Sequence, residues 1–568
     1  MSGTDAHTLA PSYVCGVSDT PLIGDTIGRT LDRTVARFAD RPALISRMHG
    51  VEWTWRELAA RVDALAAGFL ALGLRQGDRI GVWSLNRPEW TLTQFAAARA
   101  GLILVTVNPA YRRSELEFAL NKVACKALVT ATAFKTSDYI GMLTDLAPEL
   151  MRDAPGALKA AKLPHLRWVI QIGGATVPGA ISFDAVSARA GEAERAKLAE
   201  LNATLQFDEP INIQFTSGTT GSPKGVTLTH HNILNNGYFT GRAMRLTERD
   251  KICIAPPLYH CFGMVMGNLA ALSLGAAMVY PGEGFDPLLT LETVAREKCT
   301  ALYGVPTMFI AELDHPDFAN FDLSSLRTGI MAGAPCPIEV MRRVIERMNM
   351  REVTICYGMT ETSPVSFQSA VDDSVERRVS TVGRIHPHVE VKIVDDQGRI
   401  VPRGTAGELC TRGYSVMRGY WDEPEKTRDV LVDGWMKTGD LATIDDAGYC
   451  NIVGRIKDMV IRGGENLYPR EIEEFLYKHP KVQDVQVFGV ADDRYGEELC
   501  AWVRLREGET ATDEDIRAFC RGQIAHQKIP RYIEFVEEFP MTVTGKIQKF
   551  LMREDVEHRL GLKAQKTA

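Results

Sequence analysis

The apolar positions Leu58, Val62, Leu65, Phe69 and Leu72 recur three or four residues apart, which predicts a helix with one buried face. Asp78-Arg79 then leads into Ile80-Gly81-Val82-Trp83, a strand pattern. Pro88 opens a second helix through Trp90 and Phe95 that ends near Gly101, and Ile103 to Val107 is the next strand. This alternation continues to about Met350 and predicts an α/β region with a largely buried parallel sheet. From about Val379 to Val453 the pattern changes. Short alternating runs, Val389 to Val394 and Gly407 to Cys410, are separated by Asp-Asp-Gln-Gly and Pro-Arg-Gly-Thr turns, which predicts a β-rich subdomain. After Gly454 a third pattern begins, with helices over Pro469 to Tyr477 and Thr512 to Ile524 and strands over Val482 to Val490 and Leu499 to Leu505. Roughly 110 residues suffice for a small α+β domain of its own, so the expected division is 1–455 and 456–568.

Two stretches need their own reading. Residues 252–282 contain no Asp, Glu, Lys or Arg, a length compatible with a membrane span. Pro256, Pro257, His260, Asn268 and Ser273 interrupt it, and Gly275 marks a helix stop, so a buried helix followed by a central strand is expected. Arg152 to Pro164 and Ala188 to Leu201, rich in Ala, Lys, Arg and Glu, are expected to be solvated helices and loops.

Composition narrows the function classes. The 568 residues exceed what one core organises. A net charge of −7 argues against a general binder of nucleic acid or of an anionic membrane. None of the 11 cysteines forms a C-x-x-C pair, so zinc and disulfide frameworks are not expected, and reduced thiols point to a cytoplasmic location. Met1 to Pro11 is polar and lacks the apolar run of a signal peptide.

The chemistry concentrates in a few segments. Thr216-Ser217-Gly218-Thr219-Thr220-Gly221-Ser222-Pro223-Lys224-Gly225 follows the strand pattern of Ile211 to Phe215. Its three glycines let backbone N–H groups approach an oxyanion, its five hydroxyls donate to phosphate oxygens, and Lys224 adds a positive charge. Composition alone leaves a plain Ser/Thr/Gly surface loop as a competing reading. The G-x-x-x-x-G-K-[ST] loop and a G-x-G-x-x-G turn are both missing here, which removes the usual nucleotide-loop and dinucleotide folds. Further along come Gly333-Ala334-Pro335, Tyr357-Gly358-Met359-Thr360-Glu361, Thr438-Gly439-Asp440, Gly454-Arg455-Ile456-Lys457-Asp458, Arg462-Gly463-Gly464-Glu465-Asn466 and Thr544-Gly545-Lys546. Glu361 is a hard oxygen ligand of the kind that suits Mg²⁺ on a triphosphate.

In content and order these segments resemble the adenylate-forming superfamily of acyl- and aryl-CoA synthetases, adenylation domains and beetle luciferases, over about Thr26 to Phe550. The resemblance implies an enzyme that joins an acid to ATP as an acyl-adenylate and then passes the acyl group to coenzyme A. It implies that the loop from Thr216 to Lys224 holds phosphates, and that Gly333, Ala334, Pro335, Tyr357 and Gly358 lie along adenine. Thr360 and Glu361 would face phosphate and magnesium. Asp440 would accept the ribose hydroxyls with support from Arg455. Lys457 would be the hinge of a mobile C-terminal domain, Gly463, Gly464 and Glu465 would line the pantetheine tunnel, and Lys546 would reach the reacting carboxylate and α-phosphate. Pro256-Pro257-Leu258-Tyr259-His260-Cys261-Phe262-Gly263 matches a further segment, in which His260 gates the acyl pocket.

Phe262, Met264, Val265, Met266, Met331 and Met359 are the apolar pocket candidates. The opening segment from Pro11 to Gly28 resembles medium-chain fatty acyl-CoA synthetases, so a medium-chain fatty acid is the expected substrate. The alternatives are a short thio-substituted or aromatic acid, or transfer to a separate carrier protein. An oxygenase and a non-catalytic sensor are the other classes, and a homodimer is an open assembly state.

Overall fold

Thr54 caps the helix Trp55–Ala71 by accepting from the Glu57 N–H, while the Glu57 carboxylate returns to the Thr54 N–H. The apolar face of that helix, with Leu58, Val62, Leu65 and Phe69, lies in the main core. In this computed structural model, residues 10–216, 223–334, 336–462, 465–492, 494–542 and 545–562 are described. The helix packs beside an eight-stranded sheet in which Arg79–Trp83 pairs in parallel with Ile103–Thr106, and the latter with Pro210–Thr216. A nine-stranded sheet runs in parallel through Ala277–Val279, Lys251–Ile254, Ala301–Gly304, Thr328–Ala332 and Glu352–Gly358.

Both sheets end their parallel run in an antiparallel reversal. Pro210–Thr216 turns back into Lys224–Thr229, and Glu352–Gly358 turns back into Val365–Gln368. Thr216 and Lys224, the described ends of the segment singled out for phosphate, and the segment 357–361 therefore sit at the reversals, where the chain leaves one strand and re-enters its neighbour.

The charge-free stretch is a buried helix followed by a strand. Phe262–Leu269 is wound as a wide-turn π-helix and continues as Ala270–Leu274. Gly275 closes it at φ +79°, and Ala277–Val279 enters the nine-stranded sheet. No helix among the described residues is long and apolar enough to cross a membrane. The Arg152 to Pro164 stretch corrects its reading as solvated. Leu158, Ala160 and Leu163 are buried in a core beneath the eight-stranded sheet, because apolar residues spaced irregularly in a loop give no periodic signal.

Val389–Val394, Gly407–Gly413, Trp435–Ile444 and Cys450–Arg455 form the antiparallel β-rich subdomain, joined by the N-terminal strand Tyr13–Cys15. Beyond it, Val482–Asp492 and Gly496–Leu505 form a long hairpin flanked by the helices Pro469–Leu476 and Lys549–Leu560, with cores of their own.

Candidate active site

At the first reversal Thr216 pairs with Lys224. Ser217, Gly218, Thr219, Thr220 and Gly221 lie outside the described residues. The Lys224 ammonium sits 4.8 Å from the centre of the Tyr420 ring, and the Tyr420 hydroxyl donates to Glu361 Oε1 at 3.0 Å. Tyr420 arrives on the short strand Gly419–Tyr420, which pairs with Lys224–Thr229. It was not among the sequence candidates, and only the tertiary strand pairing reveals it. Glu361 is 7% exposed, and burial raises its carboxyl above the ordinary range against the lowering pull of its hydrogen bonds, Lys224 and Lys546. Thr360 beside it is buried.

At the second reversal backbone space is the constraint. A Cβ on Gly358 would stand 1.7 Å from the Pro364 carbonyl oxygen, so only glycine fits. Gly333 has φ +87°, Ala334 is half-buried, and Pro335 lies outside the described residues. The Tyr357 hydroxyl donates to Asp440 Oδ2 at 2.5 Å, and Arg455 Nε lies 3.5 Å from Asp440 Oδ1. Asp440 and Arg455 are cross-strand partners, so the register of one hairpin sets their contact. Burial raises the Asp440 carboxyl, opposed by Arg455, Tyr357 and Lys546.

Lys546 comes from the C-terminal domain. Its N–H donates to Thr542 Oγ1 at 3.1 Å, and the preceding Gly545, at φ +77°, lies against Val305 and Thr307 of the large body. A second cross-contact runs from Gln483 Nε2 to Asp314 Oδ2 at 2.9 Å. The Lys546 side chain keeps solvent access while protein packs around most of it. Burial, and next Arg455, push its ammonium down to about 8, and Asp440, Asp458 and Glu361 oppose that shift. Lys457 is exposed in the turn after Arg455. Burial lowers its ammonium first, followed by Arg455 and Lys224. Four cations, Lys224, Arg455, Lys457 and Lys546, thus converge on Glu361, Asp440 and Asp458, an excess of positive charge that suits a polyanion.

His260 faces the same space. Burial, and then the nearby Lys546, push its imidazole down to about 4, so the ring is neutral. The Phe262 N–H donates to His260 Nδ1 at 3.2 Å, which leaves the ring proton on Nε2. Glu465 is exposed on the strand Glu465–Leu467 and takes no part in the cluster, and Gly463 and Gly464 lie outside the described residues.

The pocket candidates divide. Phe262, Met264, Val265 and Met266 belong to the main core, with Met359 packed against it. Met331 corrects the expectation. It alternates with Ile330 and Ala332 along Thr328–Ala332, so it points into the second core, away from the 262–269 helix. Glu361, buried and bonded to Tyr420, is an oxygen donor of the kind that suits magnesium on a triphosphate. No cluster of three or more His, Cys, Asp or Glu side chains that could hold a metal exists among the described residues.

Comparison with known proteins identifies the family. Residues 31–421 match the family model for AMP-binding enzymes, and residues 471–546 match the C-terminal domain of AMP-binding enzymes. The mitochondrial medium-chain acyl-CoA ligase ACSF2 of Danio rerio is 50% identical over 98% of this chain and 92% of its own length. The Bacillus subtilis protein YngI is 49% identical over 94% of this chain and 97% of its own length. The anthranilate CoA ligase AuaEII, crystallised with anthranoyl-AMP, superimposes with a TM-score of 0.84 at 26% identity, covering 96% of this chain and 99% of that one. ATP-bound MatB from Rhodopseudomonas palustris gives 0.79 at 29% identity, covering 94% and 99%. The cytoplasmic location expected from the thiols is overturned by the animal relatives, which are mitochondrial. All eleven cysteines are free and ten are buried, a pattern that does not separate one reducing compartment from another.

Proposed function

The chain belongs to the AMP-binding enzyme family, and from that premise we propose that it is an ATP-dependent acid–CoA ligase acting on medium-chain fatty acids. The observation that carries the reading is Lys546, delivered by the C-terminal domain into the space bounded by Glu361, Asp440, Arg455 and His260. A carboxylate attacking the α-phosphorus of ATP brings two anions together. The Lys546 ammonium offsets that charge as it grows on the reacting centre. Lys224 and the hydroxyl loop hold the departing pyrophosphate, and Asp440, steadied by Tyr357 and Arg455, orients the ribose. Magnesium would be held by Glu361 and would supply charge neutralisation on the phosphates. His260, neutral and hydrogen-bonded, walls the acid from the thiol path without adding a charge.

In the second half-reaction the domain 456–568 turns about Lys457, withdraws Lys546 and brings Gly463, Gly464 and Glu465 to the site, so that the coenzyme A thiolate displaces AMP. The exposed position of Glu465 in the present state supports such an exchange. The medium-chain assignment rests on the ligases of that name at 47–50% identity. The test is pyrophosphate release across straight-chain acids and benzoates, with each half-reaction followed in Lys546→Ala. Loss of adenylation with thioester formation from supplied acyl-AMP preserved supports the division of labour. Equal loss of both halves refutes it.

A further inference from the structure

We propose that Asn86 and Gln214 are positioning residues, two buried carboxamides that hold the bend carrying His260 against the eight-stranded sheet. The inference rests on the reading of His260 as the wall between the acid and the thiol path. The bend, 255–261, follows the strand Lys251–Ile254 of the nine-stranded sheet. Pro256 and Pro257 have no N–H to give, so the bend cannot brace itself as a helix or strand would. Its backbone bonds begin only with the His260 N–H, which donates to the Pro257 carbonyl at 3.2 Å.

The missing partners come from the other sheet. Asn86 follows the strand Arg79–Trp83, and Gln214 lies on Pro210–Thr216, both of the eight-stranded sheet. Asn86 Nδ2 donates to the Pro256 carbonyl at 3.0 Å, and the Leu258 N–H donates to Asn86 Oδ1 at 2.7 Å. One side chain thus grips the backbone on both sides of Pro257. Cys261 Sγ donates to Gln214 Oε1 at 3.2 Å, and Gln214 Nε2 donates to Met264 Sδ at 3.1 Å. Both amides are buried, so a lost bond is not readily replaced by one to bulk water.

His260 lies between the two grips, two residues after Leu258 and one before Cys261. A Cβ on Gly263 would stand 2.5 Å from the Pro257 carbonyl oxygen, so the bend folds tightly on itself and a grip on its backbone reaches His260. Gln214 in turn stands two residues before Thr216, which pairs with Lys224 at the first reversal. One strand therefore sets both the entry to the phosphate segment and the place of the wall. A wall that shifts admits water. Water attacks the acyl carbonyl carbon of the acyl-adenylate, the carbon–oxygen bond to AMP breaks with its electron pair leaving on AMP, and the acid is regenerated with loss of a proton. AMP released without thioester measures that leak.

The experiment is the ratio of AMP released to acyl-CoA formed, with the best acid of the panel above, ATP and coenzyme A. It compares wild type, His260→Ala, Asn86→Ala, Gln214→Leu and each amide variant combined with His260→Ala. The control is Asn212→Ala, which loses a buried amide bonded to the Leu104 carbonyl instead of to the bend. Loss of folded enzyme lowers both products together, so a merely structural role leaves the ratio unmoved. His260→Ala should raise it, and Asn86→Ala and Gln214→Leu should each raise it about fivefold, the scale of one buried hydrogen bond lost. In the His260→Ala background neither should add to the rise, because the group they position is gone. Gln214→Leu carries the test if Asn86→Ala does not fold. An unchanged ratio in the folded amide variants overturns the proposal. So does a rise that multiplies in full with that of His260→Ala, or an equal rise in Asn212→Ala. An unchanged ratio in His260→Ala overturns the wall reading itself, and the proposal falls with it.

Discussion

The two halves of the candidate site are built in opposite ways. On the large body, Asp440, Tyr357, Glu361 and Tyr420 are buried or half-buried and hydrogen-bonded in two pairs, Tyr357 to Asp440 and Tyr420 to Glu361, across 83 and 59 residues of chain. On the C-terminal domain, Lys546 stands on a glycine turn that touches the body through Val305 and Thr307 and keeps solvent access. Groups that recognise a ligand gain from being fixed before it arrives, since no ordering is needed at binding. A cation needed at only one step gains from a support that can leave.

The largest effect should separate these roles. Lys546→Ala is expected to lower the adenylation rate about 10²–10³-fold, the range for losing one preorganised charge-stabilising donor, with ATP affinity almost unchanged. A matching loss of ATP affinity by calorimetry would erase the contrast. Asp440→Ala should do the reverse, weakening ATP binding about 10- to 100-fold through the loss of hydrogen bonds to a charged group.

A pH profile sharpens the comparison. The Lys546 ammonium, pushed down to about 8, carries its charge below that value and loses it above. Adenylation kcat/KM should therefore fall as pH rises through about 8, and Lys546→Arg, which stays charged, should flatten that limb. Burial raises the Glu361 carboxyl above the ordinary range, so as pH falls it loses its charge sooner than an exposed glutamate would. The smallest effect is expected from Tyr420→Phe. Glu361 would lose one donor, a change of about 1 kcal/mol that should appear as a several-fold rise in the magnesium requirement with the Lys546 limb unmoved.

The elements that were legible in advance carry strong local signals. The Leu58 to Leu72 periodicity became the helix Trp55–Ala71, and the glycines at 358 and 545 stand where backbone contact or a positive φ excludes other residues. The resemblance to a known superfamily extended this to residues such as Asp440 and Lys546, whose local sequence would pass for ordinary turns. What escaped was side-chain direction and the company each residue keeps. Met331 is apolar and so fits a pocket by composition, but strand alternation sends it into the other core. Leu158 and Leu163 are buried although their spacing has no period that would signal it.

By itself, then, the amino-acid sequence determined the α/β grammar, the β-rich insert, the small terminal domain and the order of the chemical segments, because hydrophobic period, turn residues and motifs are local properties. The tertiary structure alone decided that Tyr420 would serve Glu361, that four cations would meet three carboxylates, and that Met331 would turn into the second core. Those are distances between segments far apart along the chain. They are set by strand register and by which face each residue turns inward, and neither is written in any short stretch of sequence.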